Sequence, residues 1–320
     1  MGMLVEGKWL EEDEARRNSA DGSFVRPASA FRGRVENAPG AEFPAQAGRY
    51  HLFIAPSCPW AHRTALMRRL KGLEGAVGLT LLELPRLQGW TGSSGLDGMQ
   101  PEGGFFYAHR LYTASDPAYT GRVTVPVLWD REEGRIVNNE SAEIIRNFNS
   151  GFGALANDRD FYPAALRAEI DRINDFVYEH INNGVYRAGF ARTQDAYDAA
   201  CRKVFHGFDE LEARLADARY LVGNVLTEAD VRLFPTLARF EAVYYSHFKC
   251  NLRRLEDYPN LAGYTRDLYS RPAFGETVDI EAIKGGYYGG QKNVNPTGIV
   301  PLGPRVDFSR PHGREALGPA

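Results

Sequence analysis

The chain has 320 residues, of which 43% are hydrophobic and 25% charged, enough to build two separate cores in a globular protein. A net charge of −3, with arginines interspersed among Asp and Glu, excludes a global pull towards nucleic acid or an anionic membrane. Three cysteines, Cys58, Cys201 and Cys250, cannot all pair within one chain. With no apolar run of signal-peptide length or of the roughly 18 residues of a membrane span, a reducing cytoplasmic setting is expected.

Residues 1 to about 48 read as an N-terminal extension rich in Gly, Ala, Pro and Arg, pinned by Trp9, Phe24, Phe31 and Phe43. Residues 49–150 read as a small α/β unit. Its first strand is expected over Arg49 to Ala55, a helix from Pro59 to about Lys71, and a second strand from Val77 to Leu84. A long Gly-rich stretch follows, from Pro85 to about Gly121, including Gly89, Trp90, Gly92, Ser93, Ser94, Gly95 and Gly98. Loops of that length inside a domain are often functional. A third strand spans Val123 to Asp130, with Pro126 marking a strand start or a special backbone geometry. Arg135 to Val137 is a short fourth strand, and a helix runs from Glu140 to Asn149 with Ile144, Ile145 and Phe148 at core spacing.

Residues 160 to about 275 are expected to be helical. Ile170, Ile173, Val177 and Ile181 form one apolar stripe, and Val204, Phe208, Leu211 and Leu215 another. Thr227-Glu-Ala-Asp230 is a capping-box start, followed by Val231, Phe234, Ala238 and Val243. Pro259 opens a last helix and Pro272 closes it. Residues 276–320 form a Gly- and Pro-rich tail, either disordered or wrapped on the helical part.

The chemistry centres on Cys58. An apolar run ends there, and Pro59 suits the first position of a helix because its missing N–H would have no partner there. A thiol at a helix mouth faces unpaired N–H groups and the positive end of the dipole, which lower its pKa from about 8.5. Three residues on, where a dithiol protein has its second cysteine, stands Ala61. A redox cycle on Cys58 therefore needs an external thiol, and glutathione is the obvious source. Cys201 and Cys250 lie in helical patterns without such a setting and read as inert. His62, one turn after Cys58, reads as structural. The histidines lack metal-ligand spacing, and the glycines match neither a phosphate loop nor a dinucleotide fingerprint, so no metal and no nucleotide are expected. Glu140 and Ser141 are either an ordinary helix cap or a site for a ligand carrying both an amine and a carboxylate.

Five segments carry a resemblance: Ser57-Cys-Pro-Trp-Ala-His-Arg63, Asn138-Asn-Glu-Ser-Ala-Glu-Ile-Ile145, Ile181-Asn-Asn-Gly-Val-Tyr-Arg-Ala-Gly-Phe190, Thr227-Glu-Ala-Asp-Val-Arg-Leu-Phe-Pro235 and His247-Phe-Lys-Cys-Asn251. Together with the element order, they resemble the glutathionyl-hydroquinone reductases, the Xi class of the glutathione transferase superfamily, over about residues 24–304. The resemblance implies an N-terminal thioredoxin-like domain followed by an all-helical domain, and a homodimer. It implies glutathione as co-substrate, held by Trp90, Arg122, Val123, Thr124, Val125, Glu140 and Ser141, with a cis bond at Val125–Pro126. It assigns Cys58 as nucleophile, Tyr186 as proton donor, and Tyr244 and Tyr287 as partners of the cysteine thiolate. Tyr245 and Tyr288 adjoin the last two, and register alone leaves open which of each pair serves. The implied reaction removes glutathione from a glutathionyl-hydroquinone through a Cys58–glutathione mixed disulfide. The alternatives are a conventional transferase, a thioltransferase, or a non-enzymatic binding module.

Overall fold

The structure is a computed structural model describing residues 2–10, 18–83, 86–93, 96 and 104–318. Leu84, Pro85, Ser94, Gly95 and Gly98 of the expected strand and loop lie outside the described residues. The chain divides into two compact units. Residues 2–10 and Pro27–Arg159 form the first, and residues 18–26 and 160–318 the second.

The first unit begins with a hairpin of β1 (Met3–Val5) and β2 (Lys8–Leu10), followed by the short parallel pair β3 (Val35–Glu36) and β4 (Phe43–Pro44). Strand β5 (Tyr50–Ile54) is buried along its whole length, as expected for a central strand covered on both faces. It leads through the Cys58 turn into α1 (Pro59–Leu70) and then β6 (Val77–Leu81), which runs parallel to β5. The Gly-rich stretch is not a plain loop. It contains the strand pair β7 (Thr91–Gly92) and β8 (Phe106–Tyr107), and helix α2 (His109–Ser115). Next come β9 (Gly121–Arg122), β10 (Val127–Asp130), β11 (Arg135–Asn138) and α3 (Ser141–Ser150). The main sheet has the order β11-β10-β5-β6, with β10 antiparallel to both its neighbours.

The third main strand starts at Val127 rather than Val123, because Val125–Pro126 is cis and the pairing begins only after it. The N-terminal extension is also more regular than its composition suggests: β1 pairs with β9, so residues 3–10 and 121–122 share one three-stranded sheet. Arg49 grips Asp130 through bonds of 2.6–3.0 Å, both side chains buried at one end of the central strands β5 and β10.

The second unit is helical: α4 (Arg167–Val177), α5 (Gly184–Gly189), α6 (Gln194–Arg214), α7 (Glu228–Arg239), α8 (Pro259–Tyr269), α9 (Pro272–Gly275) and α10 (Ile280–Lys284). The apolar stripes read from the sequence are all buried. The Thr227–Asp230 capping box forms, with Asp230 also accepting from Leu221 N–H and the Tyr264 hydroxyl. Pro272 does not close α8, which ends at Tyr269. It opens α9 instead, where its missing N–H costs nothing. The tail wraps on its own unit: Arg314 is buried and donates to the carbonyls of Leu215 and Arg219, and Gln291 bonds His247. Three five-residue π turns interrupt the helices, at Tyr178–Asn182, Phe240–Tyr244 and Gly285–Gly289.

Candidate active site

The Cys58 turn is set by a backbone bond from Cys58 N–H to the Ala55 carbonyl, 2.9 Å. Cys58 is extended (φ −83°, ψ 116°) and caps α1, with Pro59 in the first turn. Its carbonyl takes the first helical bond, from His62 N–H at 3.0 Å, while its sulfur makes no capping bond. The first turn carries no acidic side chain. The thiol is thus left for chemistry at the positive end of the helix. Its Sγ donates to the Val125 carbonyl at 3.5 Å, next to the cis bond.

Two separate sets of contacts hold nominated residues of this unit, one at Trp90 and one at Thr124. Arg86 donates to Ser57 Oγ at 3.0 Å and lays its guanidinium 4.0 Å over the Trp90 ring. On the other side, the Tyr112 hydroxyl donates to the Thr124 carbonyl (2.8 Å) and accepts from Thr124 N–H (3.1 Å) and Asn139 Nδ2 (3.1 Å). Tyr112 thereby ties the cis-proline segment to the start of α3. Val123 and Val125 are buried, and burial lowers the pKa of the half-buried Arg122 guanidinium.

At α3 the two nominated residues behave differently. Glu140 is the cap, accepting from Ala142 N–H at 3.2 Å and from Ser29 Oγ at 3.0 Å. Ser141 is different. Its hydroxyl is buried and has no hydrogen-bond partner among the described residues. A buried hydroxyl left unpaired at a helix N-terminus is costly unless a ligand completes it, and a carboxylate fits that place.

The second unit collects the tyrosines. The Tyr186 and Tyr287 hydroxyls are 2.5 Å apart, and Tyr287 bonds Tyr244 at 2.9 Å. Burial pushes the phenols of Tyr244 and Tyr287 well above 10. Tyr244 and Tyr287 are thus the members of each adjacent pair that join Tyr186 in one hydrogen-bonded cluster. Tyr288 turns instead to Ser246 and the Ala242 carbonyl. Phe248 packs against all three rings, with centroids 5.4–5.7 Å away. It can do so because position 189 is glycine: a Cβ there would lie 2.2 Å from the Phe248 ring. Arg26 sits 4.9 Å from the Tyr186 ring and bonds Asn183 at 2.8 Å. Cys201 and Cys250 are buried, and burial pushes both thiols up.

Sequence reasoning missed Arg86, Tyr112 and Arg26. Tyr112 had a faint signal, since His109–Ser115 carries no Gly or Pro and is a better helix than loop. Arg86 and Arg26 had none. Among the described residues no cluster of three or more His, Cys, Asp or Glu is placed to hold a metal ion, and no helix is long and apolar enough to cross a membrane.

A thioredoxin-like sheet with a thiol at a helix mouth beside a cis-proline, in a chain whose second unit is all-helical, defines the glutathione transferase class. The models of the glutathione S-transferase N-terminal and C-terminal domains match residues 57–150 and 194–267. The chain is 50% identical to glutathionyl-hydroquinone reductase PcpF of Sphingobium chlorophenolicum, over 95% of this chain and 96% of that one. It is 47% identical to glutathionyl-hydroquinone reductase YqjG of Escherichia coli, over 98% and 99%, and matches the glutathione-bound structure of YqjG with a TM-score of 0.85. A Xi-class transferase from Natrialba magadii superposes with a TM-score of 0.89 at 43% identity, over 99% of this chain and 97% of that one. The chain belongs to the glutathionyl-hydroquinone reductases, the Xi class of the glutathione transferases.

Proposed function

We propose that this protein reduces glutathionyl-hydroquinones to hydroquinones at the expense of glutathione, with Cys58 as the nucleophile. The observation that carries the reading is the setting of Cys58: immediately before the first residue of α1, with no capping bond from its sulfur, beside cis-Pro126, with Ala61 where a resolving cysteine would stand. The Cys58 thiolate attacks the sulfur of the conjugate and forms a mixed disulfide with its glutathionyl group. The carbon–sulfur bond breaks, and the aromatic carbon takes a proton, assigned to Tyr186. A second glutathione attacks the mixed disulfide, releasing oxidised glutathione and the Cys58 thiolate. One conjugate and one glutathione give one hydroquinone and one oxidised glutathione.

Glutathione is assigned to Trp90, Arg122, Val123, Thr124, Val125, Glu140 and Ser141. The unpartnered Ser141 hydroxyl supports placing the γ-glutamyl carboxylate at α3. Tyr244 and Tyr287 are assigned to the thiolate, as the family resemblance implies. A cytoplasmic homodimer is part of the same reading, and three free cysteines accord with a reducing compartment.

A conventional transferase activates the thiol of glutathione with a Ser or Tyr hydroxyl. A cysteine in that place forms a disulfide instead, which favours the reductase. Intact-protein mass after incubation with oxidised glutathione tests this. The wild type should gain one glutathionyl group and the Cys58→Ser variant none. The adduct should clear on adding glutathione. An unmodified wild-type protein, or conjugation without deconjugation, would sink the reading.

A further inference from the structure

We infer that the N-terminal hairpin is a positioning device for the glutathione site, with Trp9 as its key residue. The inference rests on the reading that Trp90 and Arg122 contact glutathione. The hairpin turns at Glu6 and Gly7, both at positive φ (48° and 73°), the geometry that a tight two-residue hairpin requires. Its tip is fastened to the segment before β9. Glu6 N–H donates to Thr120 Oγ1 at 2.8 Å and Gly7 N–H to the Tyr119 carbonyl at 3.0 Å. A side chain at position 7 would strike the Pro117 carbonyl, since its Cβ would lie 2.0 Å away. One edge of β1 then pairs with β9, setting Met3 opposite Arg122, with Leu4 fully buried. The backbone of Arg122 is therefore held by the first strand of the chain.

The other end of the hairpin reaches Trp90. Trp9 stacks on His109 (5.3 Å, 26°), and His109 stacks in turn on Tyr107 (5.5 Å, 7°) and bonds Gln88 at 3.0 Å. Gly89 lies directly against the Trp9 indole: a Cβ there would be 2.7 Å from Cη2. The next residue is Trp90, whose carbonyl accepts from Ala108 N–H at 2.9 Å. Trp9 and Tyr107 thus brace the Gly-rich segment on both sides of Trp90. Such a segment has much backbone freedom to lose when a ligand orders it. A stack formed in advance removes that cost from glutathione binding.

Removing the indole should therefore weaken glutathione without touching the thiol. Trp9→Ala should raise the KM for a synthetic glutathionyl-hydroquinone, whose glutathionyl group the site holds, about 3- to 10-fold, the scale of one aromatic contact. The kcat and the pH midpoint of Cys58 alkylation should stay at wild-type values. Trp9→Phe should restore most of the affinity. His109→Leu, which removes the ring Trp9 stacks on, gives the same readout should Trp9→Ala fail to fold. Trp90→Ala separates the two ideas. If it leaves the conjugate KM unchanged, the assignment of Trp90 fails and the inference falls with it. If it raises KM while Trp9→Ala and His109→Leu do not, the assignment stands and the hairpin inference alone is overturned. In the double variant Trp9→Ala/Trp90→Ala the effects should be less than additive, and full additivity would also overturn it.

Discussion

Cys58 and the Tyr186–Tyr287–Tyr244 cluster are held in place by different means. The thiol depends on backbone: a helix start, a cis peptide bond, and a strand buried along its length. The tyrosines depend on side chains drawn from three separate segments, two of them inside π turns. A site made from backbone geometry leaves a compact trace in the sequence. One made from converging side chains leaves isolated residues whose partners are far along the chain. The first should tolerate changes around it but not at the sulfur, whereas the second should lose function in graded steps as hydroxyls are removed.

The comparison is broken most directly at Cys58. Cys58→Ser should lower turnover by about 10³-fold or more, the scale of deleting a covalent nucleophile, while Cys201→Ser and Cys250→Ser keep near wild-type rates. Burial raises the pKa of Cys201 and Cys250, so both stay as thiols at pH 7, and alkylation at that pH should label Cys58 alone. A second labelled thiol would blur the distinction between the units.

Tyr186→Phe comes next. It should slow formation of the mixed disulfide by about 10²- to 10⁴-fold, the range of general acid catalysis, and leave glutathione's attack on that disulfide nearly intact. Rapid-quench measurement of the two half-reactions checks it. The pH dependence has a definite sign. The phenols of Tyr244 and Tyr287 are raised well above 10, which favours their protonated forms, so turnover should not fall through their ionisation at any pH below 10. An alkaline limb near pH 8–9 belonging to one of these two phenols would contradict the buried cluster.

Stability offers a paired test, since each unit has a buried Arg–Asp bridge among its described residues. Asp130→Ala takes from Arg49 its buried partner and leaves it only the exposed Glu132 and Glu133, and Asp267→Ala takes from Arg219 its carboxylate. Each should cost about 3–5 kcal/mol in denaturant unfolding, because a buried charge loses its partner. Should the units melt separately, each variant should move its own transition. A single shared transition would show that they unfold together.

Glu140→Ala should raise the KM for the glutathionyl-hydroquinone about 10-fold or more with little change in kcat, because a charge-assisted hydrogen bond remote from the sulfur is lost. A fall in kcat at unchanged KM would mean that the residue acts only as the cap of α3. The smallest effect is expected at Glu179, on the second unit's surface. Its carboxylate is held down to about 2, first by its bond to Arg187 and, against some burial, by Lys203. A depressed carboxylate pKa contributes stability above the unfolded value of 4.5, and that contribution fades as pH falls from there through about 2. Because the pair is well exposed, Glu179→Gln should cost less than about 1 kcal/mol at pH 7, and that cost should shrink as pH falls and vanish only below about 2.

Much of this was legible in the chain. The Cys58-Pro59 boundary, the Thr227–Asp230 box and the apolar stripes are local signals, because helix capping and helical period act over a few residues. So is the conflict of Pro126 with a strand, which the cis bond resolves. That Tyr244 and Tyr287, rather than Tyr245 and Tyr288, join Tyr186 in one hydrogen-bonded cluster was not legible. A π turn shifts the helical register by one residue, and no 3.6-residue pattern anticipates it.

The sequence by itself determined where the reactive thiol is, that it has no resolving partner nearby, and which helices bury which faces. These are properties of nearest neighbours along the chain. Only the tertiary structure decided that Trp9 stacks on His109, that β1 pairs with β9, that Tyr112 joins Thr124 to Asn139, and that three distant tyrosines share hydrogen bonds. Each of those contacts spans from 12 to about 120 positions. Its geometry is fixed by packing and pairing across the fold, which no local propensity encodes.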